Sequence, residues 1–325
     1  MIRKLSQAKR MALGTGLALL VGLALVAGPA WAAREKHEEK FEKTEALARD
    51  GKVFLSNISG DNVIKTWKEN RVRILALKVS QASTAAKAKE NAGEVTIEVT
   101  REGDTLRIET KYPKRRTPWG GQDSINVSVD YELWVPEGAS IEVRSISGNV
   151  NVAPIGGRAR INSVSGDVEI LGAAGADVDL VSGDLRVENI AGDAYVKAVS
   201  GDIRLSGIKG SVGAESVSGD IELKGVSEAA SVTGKIVSGS MTYEGMIKLG
   251  GRYELEAHSG TVRMTIPASS SFDLEADTFS GVIDSEFEIQ VSGKISPREV
   301  RGTVGKGGAT VRLKSFSGDI ELKKR

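Results

Sequence analysis

The chain has 325 residues, 44 basic and 43 acidic side chains, a formal net charge of +1 and no cysteine. A balance this close to neutral argues against a general nucleic-acid binder, which needs a basic face to neutralise phosphates. The absence of thiols excludes disulfides, thiolate catalysis and thiolate-held metals, so apolar burial and backbone hydrogen bonding must hold the fold.

Residues 1–32 read as an export signal. Arg3, Lys4, Lys9 and Arg10 make a basic start, Met11 to Gly28 carries no charge, and Pro29 with Ala30-Trp31-Ala32 supplies a helix break and a cleavage site. An uncleaved anchor is the alternative, since the apolar run reaches the lower limit for spanning a bilayer. The glycines within the run and the Ala-x-Ala site favour cleavage. The expected mature chain begins at Ala33, carries a net charge of about −3, and resides in the periplasm or at the cell surface. Residues 33–50 are dense in Glu and Lys and read as a solvated linker or short surface helix.

Residues 51–135 read as a β-rich segment. Lys52 to Ile58 leads into Ser59-Gly60-Asp61, and Asn62 to Trp67, Arg71 to Val79, Glu94 to Val99, Thr105 to Glu109 and Ser124 to Val135 continue the strand signal. The exception is 80–92, Ala/Lys-rich without Gly or Pro, where a short helix or an insertion is expected.

From residue 136 to the end a repeat dominates. Ser-Gly-Asp stands at 165–167, 182–184, 200–202, 218–220 and 317–319, with degenerate copies beginning at Ser147, Ser238, Ser259 and Ser280. The serines from 147 to 280 are 18, 17, 18, 18, 20, 21 and 21 residues apart, the period of a repeat architecture. Each period holds two short alternating strands separated by a second glycine turn. An antiparallel meander and a parallel β-solenoid both satisfy this. The solenoid is favoured because Gly precedes Asp, unlike a two-residue hairpin turn, and because Val168, Leu185, Ile203 and Ile221 recur at one position. The expectation is therefore an all-β solenoid with rungs of 18 to 21 residues, about 34 Å long over seven rung spacings. Residues 285–309 break the period as an irregular excursion, after which Ala309 to Leu322 is expected to cap the stack.

Val53 to Gly60, Trp67, the segment Tyr131-Glu132-Leu133-Trp134-Val135-Pro136-Glu137-Gly138-Ala139 and the Ser-Gly-Asp rungs together resemble the bacterial putative-adhesin family, a domain family of unknown function. The resemblance covers Phe41 to the end. It implies a solenoid-like fold and an extracytoplasmic setting, and it carries no catalytic motif.

Several residues compete for a functional reading. Asp167, Asp184, Asp202 and Asp220 would stack into an acidic ladder, where like charges about 4.8 Å apart repel by about 0.9 kcal/mol per neighbouring pair in water. Calcium would relieve this repulsion. The structural reading, Gly for a positive φ and Asp for backbone bonding at a corner, explains the same residues and is preferred. His37 and His258 lack the neighbours of a metal site. Lys111, Lys114, Arg115, Arg116 and Trp119 form a basic, aromatic segment suited to an anionic glycan or lipid headgroup, with a solvated loop as the plain alternative. Carboxylates follow the rungs instead of clustering, so no catalysis and no cofactor are expected. The expected function is an exported, non-catalytic interaction module or adhesin of the cell envelope with a glycan, lipid or protein partner and no nucleic acid. A scaffold that self-associates through its solenoid ends is the alternative, and a polysaccharide-acting enzyme the more distant one.

Overall fold

Strands alternate on either side of each Ser-Gly-Asp corner because its glycine reverses the chain within two residues. Gly175–Ser182, for example, turns at Gly183 into Leu185–Glu188. The computed structural model describes residues 34–113, 125–227, 229–291 and 296–325, so the expected leader lies outside the described residues. Within Arg34–Arg325 every rung contributes one strand to a 13-stranded sheet (sheet A) and one to a 14-stranded sheet (sheet B).

Equivalent positions stack directly. In sheet B Ser165 pairs with Ser182, Ser182 with Ser200, and Ser200 with Ser218, all in parallel strands. In sheet A Val168, Leu185, Ile203 and Ile221 form a continuous parallel line. Parallel pairing of successive units makes the fold a β-solenoid and excludes the meander. The two inner faces fill one core of Val, Ile, Leu and Ala, including Ile161, Val178, Val196 and Ala214 from sheet B.

The ends depart from the expected order. The coil does not begin at residue 136, because Lys52–Ser59 and Asn62–Trp67 already form a rung stacked on the one turning at Ser147. Outside it lies a rung made of Thr105–Lys111 and Val127–Pro136. Antiparallel strands finish this end: Thr96–Glu102 on sheet B, and Arg71–Ala82 followed by Glu35–Ala46 on sheet A. Residues 35–46 are therefore an edge strand, and not the linker or surface helix that their composition suggests. Both faces of this strand are largely solvated, so it shows no apolar alternation. Its charges pair across the strand instead, Glu42 with Arg73 at 2.8 Å and Glu39 with Lys78 at 2.9 Å. The helix Ala85–Glu94, capped by Thr84, packs against these two strands.

At the other end Ala309–Ser317 and Ile320–Lys324 do not cap the stack. They insert between the rung turning at Ser259 and the one turning at Ser280. Within the excursion 285–309, Glu299–Val304 pairs antiparallel with Phe272–Ser280 and Gln290–Val291 extends that edge. Phe287 meets Phe272 edge-on at 5.5 Å between centroids. A cover therefore needs the excursion, and the final rung is interior.

This interior rung is fastened from outside by an ion pair. Arg263 donates to Glu321 from Nε at 2.9 Å and Nη2 at 3.1 Å, and Lys323 adds a contact at 2.9 Å. These partners hold the Glu321 carboxyl down to about 2. A depressed carboxyl contributes stability that is present above its unfolded value, near 4.5, and lost as pH falls through about 2. The side chain keeps 22% exposure, so solvent screening reduces the contribution to roughly 1–2 kcal/mol. Urea titrations of wild type and Glu321→Gln should differ by that amount at neutral pH and converge as pH is lowered from 5 toward 2.

Candidate functional site

The corner aspartates are consumed by the architecture. Asp167 Oδ1 accepts from the Asp184 backbone N–H at 2.9 Å, Asp184 from Asp202 at 3.0 Å, Asp202 from Asp220 at 2.9 Å and Asp220 from Ser240 at 2.8 Å. Each carboxylate thus satisfies a backbone donor one rung further on. Arg204, 2.7 Å from Asp202 and 3.7 Å from Asp184, offsets the row of like charges. Among the described residues no group of three or more His, Cys, Asp or Glu side chains is placed to hold a metal ion.

The basic segment divides. Lys111 ends its strand and contacts Glu109 at 2.8 Å, which raises the lysine's pKa and lowers that of Glu109. Lys114, Arg115, Arg116 and Trp119 lie outside the described residues.

A different feature dominates the outer face of sheet B. The residue before each corner serine points outward, and in successive rungs it is Ile58, Ile146, Val164, Val181, Val199, Val217, Val237, His258, Phe316 and Phe279. All ten are exposed, the valines at 47–49% and Phe279 at 65%. The last three stack as rings, His258 on Phe316 and Phe316 on Phe279, each at 4.9 Å and within 6° of parallel. His258 therefore continues an apolar row. Scattered exposed hydrophobics are ordinary on soluble proteins; a contiguous line of them marks a contact surface.

Two residues earlier on the same strands runs a second outward row. Its order along the stack is Asp179, Lys197, Glu215, Lys235, Glu256, Lys314, Asp277, with the sign alternating at every rung. Cross-strand neighbours of opposite charge stabilise a sheet, and Lys197 lies 3.2 Å from Glu215. The residues between the rows, such as Leu180, Ala198 and Ile236, turn inward and are buried. Backbone therefore floors a groove of about 1040 Å³ with one apolar wall and one charged wall. In sheet A the corresponding outward positions are polar and laced by ion pairs, for example Arg186 with Glu188 and Lys224 with Glu222. The two faces differ in kind.

Ser163, in register with the inward-facing Leu180, is likewise buried, and its Oγ has no hydrogen-bond partner, so it belongs to the core side of the strand and not to the groove. A smaller cavity of about 350 Å³ near Trp67 and Arg49 is less open to a ligand's polar groups, because the adjacent indoles already donate, Trp67 to the Arg71 carbonyl and Trp134 to Glu132. The sequence contained the signal for the groove: the residue before the corner serine is apolar in every copy but the one with His258, and where the residue before it is apolar too, as in Leu180-Val181, Ala198-Val199 and Ile236-Val237, strict alternation sends the second outward.

A family model described as Toastrack DUF4097 matches residues 52–323. No curated protein matches the chain. Similar solved structures include a putative adhesin from Parabacteroides distasonis, 13% identical with a TM-score of 0.39, covering 87% of this chain and 97% of that one. Another, from Bacteroides fragilis, is a putative adhesin 12% identical with a TM-score of 0.35 and the same coverages. A third is a putative lipid binding protein from Parabacteroides distasonis, 10% identical with a TM-score of 0.35, covering 88% and 97%.

Proposed function

We propose that this chain, which belongs to the Toastrack DUF4097 family, is an exported, non-catalytic interaction module of the cell envelope, in the manner of an adhesin, with the sheet B groove as its contact surface. The observation that carries this reading is the exposed apolar row. Covering a half-exposed valine stabilises a complex by roughly 1 kcal/mol, and a row of them supplies affinity without a deep pocket. Export fits the basic start, the apolar run and the Ala-x-Ala site of residues 1–32. Non-catalytic binding fits carboxylates that are engaged in corners and cross-strand pairs.

End-to-end assembly is the weaker reading. The sheet A edge at one end, Glu35–Ala46, is densely charged, and the edges at the other end, Ile283–Ser285 and Gln290–Val291, are very short. Both features blunt strand addition.

Retention on isolated envelopes tests the proposal. The triple variant Val181→Ser, Val199→Ser, Val217→Ser is expected to lose at least tenfold in retention with unchanged circular dichroism, since the three positions are solvent-facing. Neutralising Lys114, Arg115 and Arg116 is expected to change retention less than the groove variant does. Retention that follows the basic segment and ignores the groove would sink the proposal.

A further inference from the structure

We infer that the groove's partner is a second copy of this chain, packed face to face with its stack running in the opposite direction. The inference rests on the reading of the groove as a contact surface. Two copies can meet on this face through a two-fold axis in the plane of contact, lying either along the stack or along the strands. An axis along the stack sets the apolar row of each copy against the charged row of the other. An axis along the strands reverses the stack and sets apolar on apolar and charged on charged.

The second arrangement is favourable because the charged row alternates. Reversing an alternating row about a point midway between two rungs places every positive group opposite a negative one. With the axis between Glu215 and Lys235, Asp179 faces the other copy's Lys314, Lys197 faces Glu256 and Glu215 faces Lys235, while Asp277 meets Asn162. The same axis lays large on small along the apolar row: Phe316 on Val181 and Phe279 on Val164. A single acyl or glycan chain would satisfy one wall and leave the other's charges partly desolvated.

The size is that of a weak contact. In this register eight rungs overlap, from that of Asn162 to that of Asp277. At about 4.8 Å per rung, and about 13 Å across once side chains extend beyond the two rows, the strip is roughly 500 Å² per copy, or about 1,000 Å² in total, below the range of stable interfaces. The expected association is correspondingly weak, with a Kd on the order of ten micromolar or above.

Sedimentation of the full chain over a range of concentrations tests this. Wild type is expected to shift from monomer to dimer. Two charge variants, Lys197→Glu/Lys235→Glu/Lys314→Glu and Asp179→Lys/Glu215→Lys/Glu256→Lys, are each expected to dimerise at least about tenfold more weakly, and an equimolar mixture to recover the dimer. Because the chain lacks cysteine, Val181→Cys mixed with Phe316→Cys reports the direction. The mixture should cross-link, and Val181→Cys alone should not, since its two copies would lie about five rungs apart, roughly 24 Å. A monomer at every concentration overturns the inference; if envelope retention still depends on the groove, the contact surface stands and its partner is another molecule. A dimer indifferent to both charge variants, or a mixture that stays monomeric, also overturns the pairing.

Discussion

Gly201→Ala is expected to cost roughly 4 kcal/mol or more, a large share of the stability of an ordinary domain. Two terms combine at this corner. Gly201 has φ +118°, a conformation that side chains with a Cβ rarely adopt, and which costs on the order of 1–3 kcal/mol. A Cβ there would also sit 2.0 Å from the Gly183 carbonyl oxygen of the preceding rung. That oxygen is backbone in a close-packed stack, so relief requires the two rungs to separate, which strains the bond from the Gly183 N–H to the Ser200 carbonyl at 3.1 Å. Two controls separate the terms. Gly103, at φ +60° with nothing within 4 Å of where a methyl would sit, isolates the conformational cost, expected at about 1 kcal/mol on substitution by Ala. Gly93, in the helix and equally open, should gain up to about 1 kcal/mol. Solenoid rungs unfold locally, so hydrogen exchange across 183–220 should accompany urea melts. Equal losses at Gly201 and Gly103 would mean that rung contact is unimportant at the corner.

That expectation explains why the most visible motif in the sequence is silent about binding. Ser-Gly-Asp recurs because each of its parts serves the stack. The serine carbonyl accepts from the glycine of the adjacent rung, the glycine makes the turn, and the aspartate bonds the following rung. Ser240 and Thr261 can replace the aspartate because the backbone pairing of the rungs continues without it. The face available to a partner is set two and four residues before the aspartate's glycine, where the side chains are free to vary without disturbing the turn. There the chain has placed an unbroken apolar row beside an alternating charged one.

The solenoid was legible because its rule is local: a period, a turn and inward apolar positions. What was not legible depended on long-range placement. Glu35–Ala46 reads as a linker, since an edge strand solvated on both faces needs no alternation. The last rung reads as a cap by its sequence position, yet parallel pairing lets a later segment enter between two earlier ones, as Ala309–Ser317 does between Arg252–Ser259 and Phe272–Ser280. The valines before the corner serines do not show their exposure by residue type, since an apolar side chain suits a core equally well. Only the phase of the strand, fixed by Val178 and Leu180 pointing inward, puts Val181 outside. The charge alternation was hidden further, because the rung containing Lys314 precedes that of Asp277 in space and follows it in sequence.

Asn57→Asp should be at least as damaging as the glycine change at neutral pH, about 4 kcal/mol, although it alters almost no volume. Asn57 is buried where the next rung has Ser145. Its Nδ2 donates to the Val129 carbonyl at 2.8 Å, to Asn62 Oδ1 at 3.1 Å and to the Gly60 carbonyl at 3.2 Å, and its Oδ1 accepts from Thr110 at 3.2 Å. Thr110 is in turn 2.7 Å from the Tyr131 hydroxyl. The amide nitrogen thus faces three oxygens, and a carboxylate in its place would set a buried charge against them. Only the protonated acid could restore a donor, so the fold would raise the pKa of the new carboxyl above its unfolded value of about 3.9. A group raised in this way leaves stability intact below the unfolded value and loses it as pH rises through the folded one. The deficit of Asn57→Asp should therefore be small near pH 4 and grow toward pH 7, whereas Asn57→Ser, which lacks a titratable group, should show a smaller, pH-independent loss of about 2 kcal/mol. A pH-independent deficit in the aspartate variant would show that the carboxylate escapes to water. If it stays buried, Asn57 joins the first Ser-Gly-Asp corner to Val127–Pro136, the strand that leads out of the basic segment. The amide thereby adds to what already ties the outer rung to the coil, the strand pairing of Asn62–Trp67 with Tyr131–Pro136 and the bond from the Asp61 N–H to Asp130 Oδ1 at 3.0 Å.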